Sequence, residues 1–196
     1  MLKVMTIVGT RPELIKMSRV ITEFDRRIQH VLVHTGQNYD YELNQVFFED
    51  LEIRKPDYFL EAVGDNAAQT IARVIEKADE VLALEQPDAV MLYGDTNSCL
   101  AVIAAKRRKV PVFHMEAGNR CFDQRVPEEI NRILTDQLSE LLFTTEASAE
   151  DNLVREGIAR SRVHFVGKKQ CVYIREERFA LKLTLSSRTI CKKLRL

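Results

Sequence analysis

Pro111-Val112-Phe113-His114-Met115-Glu116-Ala117-Gly118-Asn119-Arg120 carries the clearest passage from apolar strand to polar loop in the chain. Its first five residues are a mostly apolar run of the length of a short buried strand. The run ends on an acid and then a glycine, after which Asn119, Arg120, Asp123, Gln124 and Arg125 make a polar loop. Pro127-Glu128-Glu129 then opens a helix, with proline in its first turn and acids at the positive end of the helix dipole. A strand that hands over to a polar loop and a helix start is how open parallel α/β sheets build sites at the carboxyl ends of their strands. Glu116 and Glu128 are therefore expected to face one crevice.

The same pattern recurs on both sides of this stretch. Upstream, Ala89-Val90-Met91-Leu92-Tyr93 is a continuous apolar run of the kind found in central parallel strands, ending at Gly94-Asp95-Thr96-Asn97. A helix follows from about Ser98 to Lys106. Its basic end, Lys106-Arg107-Arg108-Lys109, suits the negative end of the helix dipole and is read as a solvated helix end, not a nucleic-acid interface. At the start of the chain, residues 2–8 run into Gly9-Thr10-Arg11-Pro12-Glu13 and a helix with Leu14, Ile15, Met17, Ile21 and Phe24 at helical spacing. Thr10 or Arg11 lies near the cap and Pro12 in the first turn. Backbone N–H groups there favour an anion, and Arg11 adds a charge-assisted fork for a phosphate.

Between these two strands, His30 to Thr35 reads as a second strand, followed by a polar turn over Gly36-Gln37-Asn38-Tyr39-Asp40 and a helix through Phe47. Asp57-Tyr58-Phe59-Leu60 reads as a short strand, and Gly64-Asp65-Asn66 as a loop with a helix cap. From Thr70, Ile71, Val74, Ile75, Ala78, Val81 and Leu82 fall on one helical face. Downstream of the central loop come a helix with Ile130, Ile133, Leu134 and Leu138 inward, the strand Leu141 to Thr145, a helix from Ser148 to Glu156 closed by Gly157, and the strand Val163 to Gly167. Repeated strand–helix alternation predicts an α/β fold with a doubly wound parallel sheet over residues 1–167.

Composition agrees. With 196 residues, 45% apolar and 30% charged, the chain has room for one substantial globular domain, and disorder, collagen and coiled coil are poor readings. No apolar run approaches the ~20 residues that cross a bilayer, and Arg11-Pro12-Glu13 breaks the pattern of a cleavable leader, so a cytoplasmic protein without membrane association is expected. Cys99, Cys121, Cys171 and Cys191 form no C-x-x-C pair and have no histidine at zinc spacing, which predicts free thiols and no metal. The zero net charge hides an asymmetry. Residues 1–167 carry 20 basic against 27 acidic side chains, and residues 168–196 carry 9 against 2. The switch marks a boundary at Gly167, beyond which a basic tail is expected to be poorly ordered.

Three strand ends converge on one sheet edge in such a fold: Gly9-Thr10-Arg11, Gly94-Asp95-Thr96 and His114-Met115-Glu116. Each residue has a plainer reading. Asp95 suits a helix cap, Glu128 and Glu129 suit a helix start, Arg11 suits the surface, and His114 within an apolar strand suits a core histidine, having no second histidine at ligand spacing. There is no G-x-G-x-x-G after the first strand, no phosphate-binding G-x-x-x-x-G-K-[ST] loop and no G-x-S-x-G elbow, which disfavours a nicotinamide cofactor, an NTPase cycle and a serine hydrolase.

Gly9-Thr10-Arg11-Pro12-Glu13 with Ile15-Lys16, Gly94-Asp95-Thr96, His114-Met115-Glu116-Ala117-Gly118 with Arg120, and Pro127-Glu128-Glu129 with Asn131-Arg132 together resemble the non-hydrolysing UDP-N-acetylglucosamine 2-epimerases. Within that family, His34 to Asp40 and Gly118 to Asp123 are most similar to a branch forming UDP-N-acetyl-L-fucosamine. The resemblance implies a Rossmann-like, three-layer N-terminal domain of a glycosyltransferase B-type architecture, with a UDP-N-acetylhexosamine or UDP-6-deoxy-N-acetylhexosamine as substrate, no cofactor, and a homodimer. It implies an isomerase that expels UDP together with the C2 proton and then adds both back, the proton on the other face. Asp95, Glu116 and Glu128 match the family's essential acids, and Arg11 its phosphate-contacting arginine. Gly9, Thr10, Pro12, His114, Arg120 and Arg132 are expected on the substrate-binding side. The family's second domain, with a histidine and most uridine contacts, is expected after Gly167. The basic tail stands there instead, as a frameshift or early stop would leave it, so full turnover by these 196 residues is not expected. The rivals are a non-catalytic remnant that keeps the binding lip, and a glycosyltransferase of the same architecture.

Overall fold

A computed structural model describes residues 1–36, 48, 51 and 53–167. Expectations for the turn and helix between Gln37 and Phe47, and for the tail from Lys168, lie outside the described residues. In chain order the elements are β1 (Lys3–Val8), α1 (Arg11–Arg27), β2 (Gln29–His34), β3 (Tyr58–Phe59), α2 (Ala67–Glu85), β4 (Ala89–Tyr93), a tight 3-10 turn (Asn97–Ala101) running into α3 (Val102–Arg107), β5 (Val112–Met115), α4 (Pro127–Leu138), β6 (Leu141–Thr144), α5 (Ala147–Arg155) and β7 (Val163–Phe165). The described strands form one seven-stranded sheet in the order β3-β2-β1-β4-β5-β6-β7, and every neighbouring pair is parallel. The chain starts in the middle, winds out to β3, and returns to wind the other way from β4. This reversal opens a crevice above the carboxyl ends of β1 and β4.

Side chains alternate between the two faces because successive strand residues point opposite ways. Val4, Val8, Leu32, Met91, Phe113 and Phe143 pack with Leu14, Met17, Ile21 and Phe24 of α1 on one face. Met5, Ile7, Val33, Val90, Leu92 and Val112 pack with Val74, Ala78 and Leu82 of α2 and with α3 on the other. Layers of helix on both faces make the expected three-layer α/β domain. Asn66 caps α2, its side chain accepting from the Gln69 N–H at 2.9 Å. Among the described residues no helix is long and apolar enough to cross a membrane.

The helix after the central loop reverses one expectation. Ile130 and Leu134 are exposed, at 48% and 40%, while the buried residues of α4 are Glu129, Asn131, Thr135 and Asp136. Leu138 alone of the expected inward set packs on the core of its face. Polar groups are buried here because partners wait for them. The Thr135 hydroxyl donates to the Asn131 carbonyl at 2.8 Å, and Asp136 meets His114, Arg120 and the Gly118 N–H. Apolar periodicity reports which face can be buried in oil, and it misreads a helix whose inner face is a satisfied polar network.

Gly118 shows how tightly that loop is packed. Its φ is +79°, and a Cβ there would lie 2.3 Å from the Ala149 carbonyl oxygen of α5. Gly157 has a similar φ of +86° with nothing within 4 Å. Gly118→Ala is expected to destabilise the domain by about 2–4 kcal/mol, since strain and clash add. Gly157→Ala is expected to cost roughly 1 kcal/mol, from the backbone alone. Urea denaturation of the two variants beside the parent measures the difference.

Candidate functional site

The crevice is built first from the turn after β1. Gly9 is required by close approach: a Cβ there would lie 1.9 Å from Ser98 Oγ and 2.2 Å from Thr35 Oγ1, two hydroxyls that hydrogen-bond each other at 2.8 Å. The ends of β1 and β2 are thus pressed against the turn that follows β4. Thr10 is the N-cap of α1, and the third helical residue, Glu13, reaches back so that Gly9 N–H donates to its Oε2 at 2.6 Å and Thr10 N–H at 3.2 Å. Its other oxygen, Oε1, meets Thr96 Oγ1 at 2.5 Å, across the switch point. Glu13 is only 3% exposed. Burial pushes its carboxyl up to about 7, aided by the nearby charge of Asp95 and opposed by the three hydrogen bonds. Two N–H groups expected to be open to an anion are therefore taken by Glu13, while Arg11 stands half-buried and Pro12 exposed in the first turn of α1.

Asp95 does not cap the next helical turn. That role falls to Thr96, whose side chain accepts from the Ser98 N–H. Asp95 Oδ2 instead takes the Nε–H of Arg132 on α4 at 2.7 Å, and its backbone carbonyl accepts from Asn131 Nδ2 at 2.9 Å. The other edge of the Arg132 guanidinium donates through Nη1 to Glu129 Oε2 at 2.6 Å. Burial works against the Arg132 charge, but the two carboxylates outweigh it and raise its pKa.

Glu116 sits at the end of β5 in the left-handed region, with a φ of +66°. For a residue with a Cβ this costs roughly 1–2 kcal/mol. Its carboxylate lies over Gly94, where an added Cβ would come 3.8 Å from Oε2. Lys16 Nζ of α1 stands 3.3 Å from both carboxylate oxygens and 5.3 Å from the centre of the Tyr93 ring, and Asn119 Nδ2 donates at 3.4 Å. Both partners are partly exposed, the Glu116 side chain at 25% and that of Lys16 at 39%. The sheet edge therefore brings Lys16 of α1 to Glu116 after β5 and Arg132 of α4 to Asp95 after β4, with Arg11 in the first turn of α1.

Glu128 is exposed in the first turn of α4 and makes no hydrogen bond or ion pair among the described residues, whereas its neighbour Glu129 is buried. His114 has no exposed surface. Its Nε2–H donates to the Gly94 carbonyl and its Nδ1 meets Asp136 Oδ1, each at 2.7 Å. The Arg120 side chain is 1% exposed, held by Asp136 at 2.8 Å and Glu156 at 2.6 Å. Both act on the crevice through the backbone, His114 by fixing Gly94 and Arg120 by fixing the loop after Glu116. Glu13, Lys16 and Glu129 enter the sequence reading only as members of motifs or helix-start acids, without a site role, and Asp136 does not enter it. Thr10-x-x-Glu13 does carry a signal, the spacing of a capping box. Among the described residues no group of three or more His, Cys, Asp and Glu side chains is arranged to hold a metal ion.

Glu13 generates a pH prediction. Its carboxyl is raised in the folded chain from 4.5 to about 7, so the folded state keeps a proton that the unfolded state releases. The resulting stability is present below 4.5 and is lost as pH rises through 7, in total about 3 kcal/mol. Glu13→Gln keeps an oxygen for Gly9 and Thr10 and removes the titration. The stability of the parent minus that of the variant should fall across this window, measured by urea denaturation at a series of pH values.

Comparison with known proteins agrees with this geometry. The family model described as UDP-N-acetylglucosamine 2-epimerase matches residues 22–195. The UDP-2,3-diacetamido-2,3-dideoxy-D-glucuronate 2-epimerase of Pseudomonas aeruginosa is 44% identical over 169 residues, which are 84% of this chain and 48% of that protein. A solved UDP-N-acetylglucosamine 2-epimerase from Rickettsia bellii superposes with a TM-score of 0.81 at 57% identity, covering 100% of this chain and 52% of its own. The Methanocaldococcus jannaschii UDP-GlcNAc 2-epimerase, solved in complex with UDP-GlcNAc and UDP, gives 0.83 at 35% identity, covering 95% and 54%. The chain thus spans about half the length of the relatives it matches. By the extent of the family match and the shared sheet, the chain belongs to the UDP-N-acetylglucosamine 2-epimerase family.

Proposed function

We propose that this chain supplies the acid–base half of an enzyme that inverts C2 of a UDP-2-acetamido sugar by elimination and re-addition of UDP. The observation that carries the reading is the pair of carboxylates at neighbouring strand ends, Asp95 against Arg132 and Glu116 against Lys16, on the edge where Arg11 begins α1. The C2 hydrogen of such a sugar has no carbonyl beside it. Its removal therefore has to accompany breakage of the C1–O bond to UDP, which leaves a C1–C2 double bond. Re-addition of UDP to C1 and of a proton to the opposite face of C2 balances the reaction with no net gain or loss. Groups able to give and take protons on two faces are needed, with cations for the departing diphosphate. Asp95, Glu116 and the exposed Glu128 are assigned to the first task, and Arg11, a planar fork suited to phosphate, to the second.

Within that class, the sequence forms over His34 to Asp40 and Gly118 to Asp123 resemble a branch acting on a UDP-6-deoxy-N-acetylhexosamine, which makes that sugar the proposed substrate. The relatives' names already span more than one 2-acetamido sugar, so the shared chemistry is C2 inversion and the hexose is a variable. A cytoplasmic homodimer is part of the same reading.

Two measurements test it. The chain through Gly167, joined to the second half of a family member, should epimerise its sugar nucleotide in D2O with deuterium incorporated at C2. Glu116→Gln, which keeps shape and removes the ionisable group, should lower that exchange by roughly 100-fold or more with the fold unchanged by circular dichroism. Full exchange in the folded Glu116→Gln protein would remove Glu116 from the chemistry. On the 196-residue chain, Arg11→Ala should weaken UDP binding by about tenfold in calorimetry, the worth of one charge-assisted contact. Unchanged affinity would rule out a phosphate role for Arg11.

A further inference from the structure

Glu129 lies outside the residues assigned to the chemistry, yet it touches two parts of the crevice at once. It is 1% exposed. Phe122 N–H donates to Oε1 at 2.9 Å, and Cys121 N–H and Arg132 Nη1 donate to Oε2 at 3.1 and 2.6 Å. Burial works to push its carboxyl up, but these donors replace the lost water and hold it below the ordinary value. Phe122 is fixed by this contact in the left-handed region, with a φ of +58°. The guanidinium of Arg132, fixed along its Nη1 edge, presents Nε to Asp95 Oδ2 at 2.7 Å.

One hydrogen bond leaves a guanidinium free to turn about its stem, whereas two carboxylates on two edges of a planar group set its plane. We propose that Glu129 is a positioning residue: by anchoring Arg132 it sets the direction of the Asp95 carboxylate, and it couples that direction to the backbone of the Cys121–Phe122 turn. Successive helix residues are turned by about 100°. Hence Glu128 faces outward while Glu129, one residue on, faces inward. That this matters for turnover rests on the reading of Asp95 given above. The positioning itself does not.

The test is nitrogen-15 NMR on the 196-residue chain, with the Arg132 Nε–H signal assigned by its loss in Arg132→Lys. In the parent chain this proton should exchange slowly with water, and rotation about the Arg132 Nε–Cζ bond should be restricted. Glu129→Gln should speed exchange of Arg132 Nε–H by about tenfold or more, although its bond to Asp95 is not the one altered. Asp95→Asn should speed Arg132 Nε–H while leaving the Cys121 and Phe122 amides protected. A purely structural Glu129 would instead expose those two amides in Glu129→Gln and leave Arg132 unchanged, and that result overturns the proposal. A freely rotating Arg132 guanidinium in the unaltered chain also overturns it, a measurement that needs no variant to fold. Since no turnover is read, these outcomes are independent of whether Asp95 takes part in the reaction.

Discussion

The chain after β5 depends on one buried charge. Asp136 has no exposed surface, and a carboxylate in that position must find donors or forfeit several kcal/mol. It has two donors, the Arg120 guanidinium and the Gly118 N–H, and a third partner in the His114 ring. Each of these fixes a different part of the crevice wall. His114 carries the constraint across the sheet to the Gly94 carbonyl, Gly118 brings the loop against α5, and Arg120 extends it to Glu156. With the loop held on both sides of it, Glu116 is kept in a backbone conformation it would not adopt alone. Removing one partner from such a buried set typically costs about 3–5 kcal/mol.

A division of labour among acids follows. Glu13, Glu129 and Asp136 are buried and saturated, and each ties a turn to its neighbour. Asp95 and Glu116 are partly exposed and share their cations with solvent, and Glu128 is exposed outright. The first group sets backbone geometry, while the second keeps part of its surface exposed. The reaction proposed above needs such preorganisation, since the C–H bond it breaks is only weakly acidic. Because Arg132 is clamped between Asp95 and Glu129, it belongs with the scaffold as much as with the site.

Much of the fold was legible in the chain. Near-continuous apolar runs separated by helical patterns can only be satisfied by a parallel sheet covered on both faces, and the strands Lys3–Val8, Ala89–Tyr93, Val112–Met115 and Leu141–Thr144 lie where that logic puts them. The ends of three of those strands are legible too, because the apolar run meets a glycine or an acid at Gly9, Gly94 and Glu116. What failed was α4. Ile130 and Leu134 look inward by periodicity and lie outward in the structure, since the period carries no information about which polar residues will find partners across the sheet.

The class of fold, the order of strands and helices and the residue types at the crevice follow from the chain alone, because periodicity and turn chemistry act over a few neighbouring residues. Only the tertiary structure decided which of two adjacent acids, Glu128 or Glu129, is buried, and that Asp95 meets Arg132 instead of capping its own helical turn. It also decided that the Gly9 and Thr10 N–H groups belong to Glu13. These are choices between partners 37 residues apart or between equivalent local ones, and they are settled by what burial leaves unsatisfied, a quantity defined only once the strands have come together.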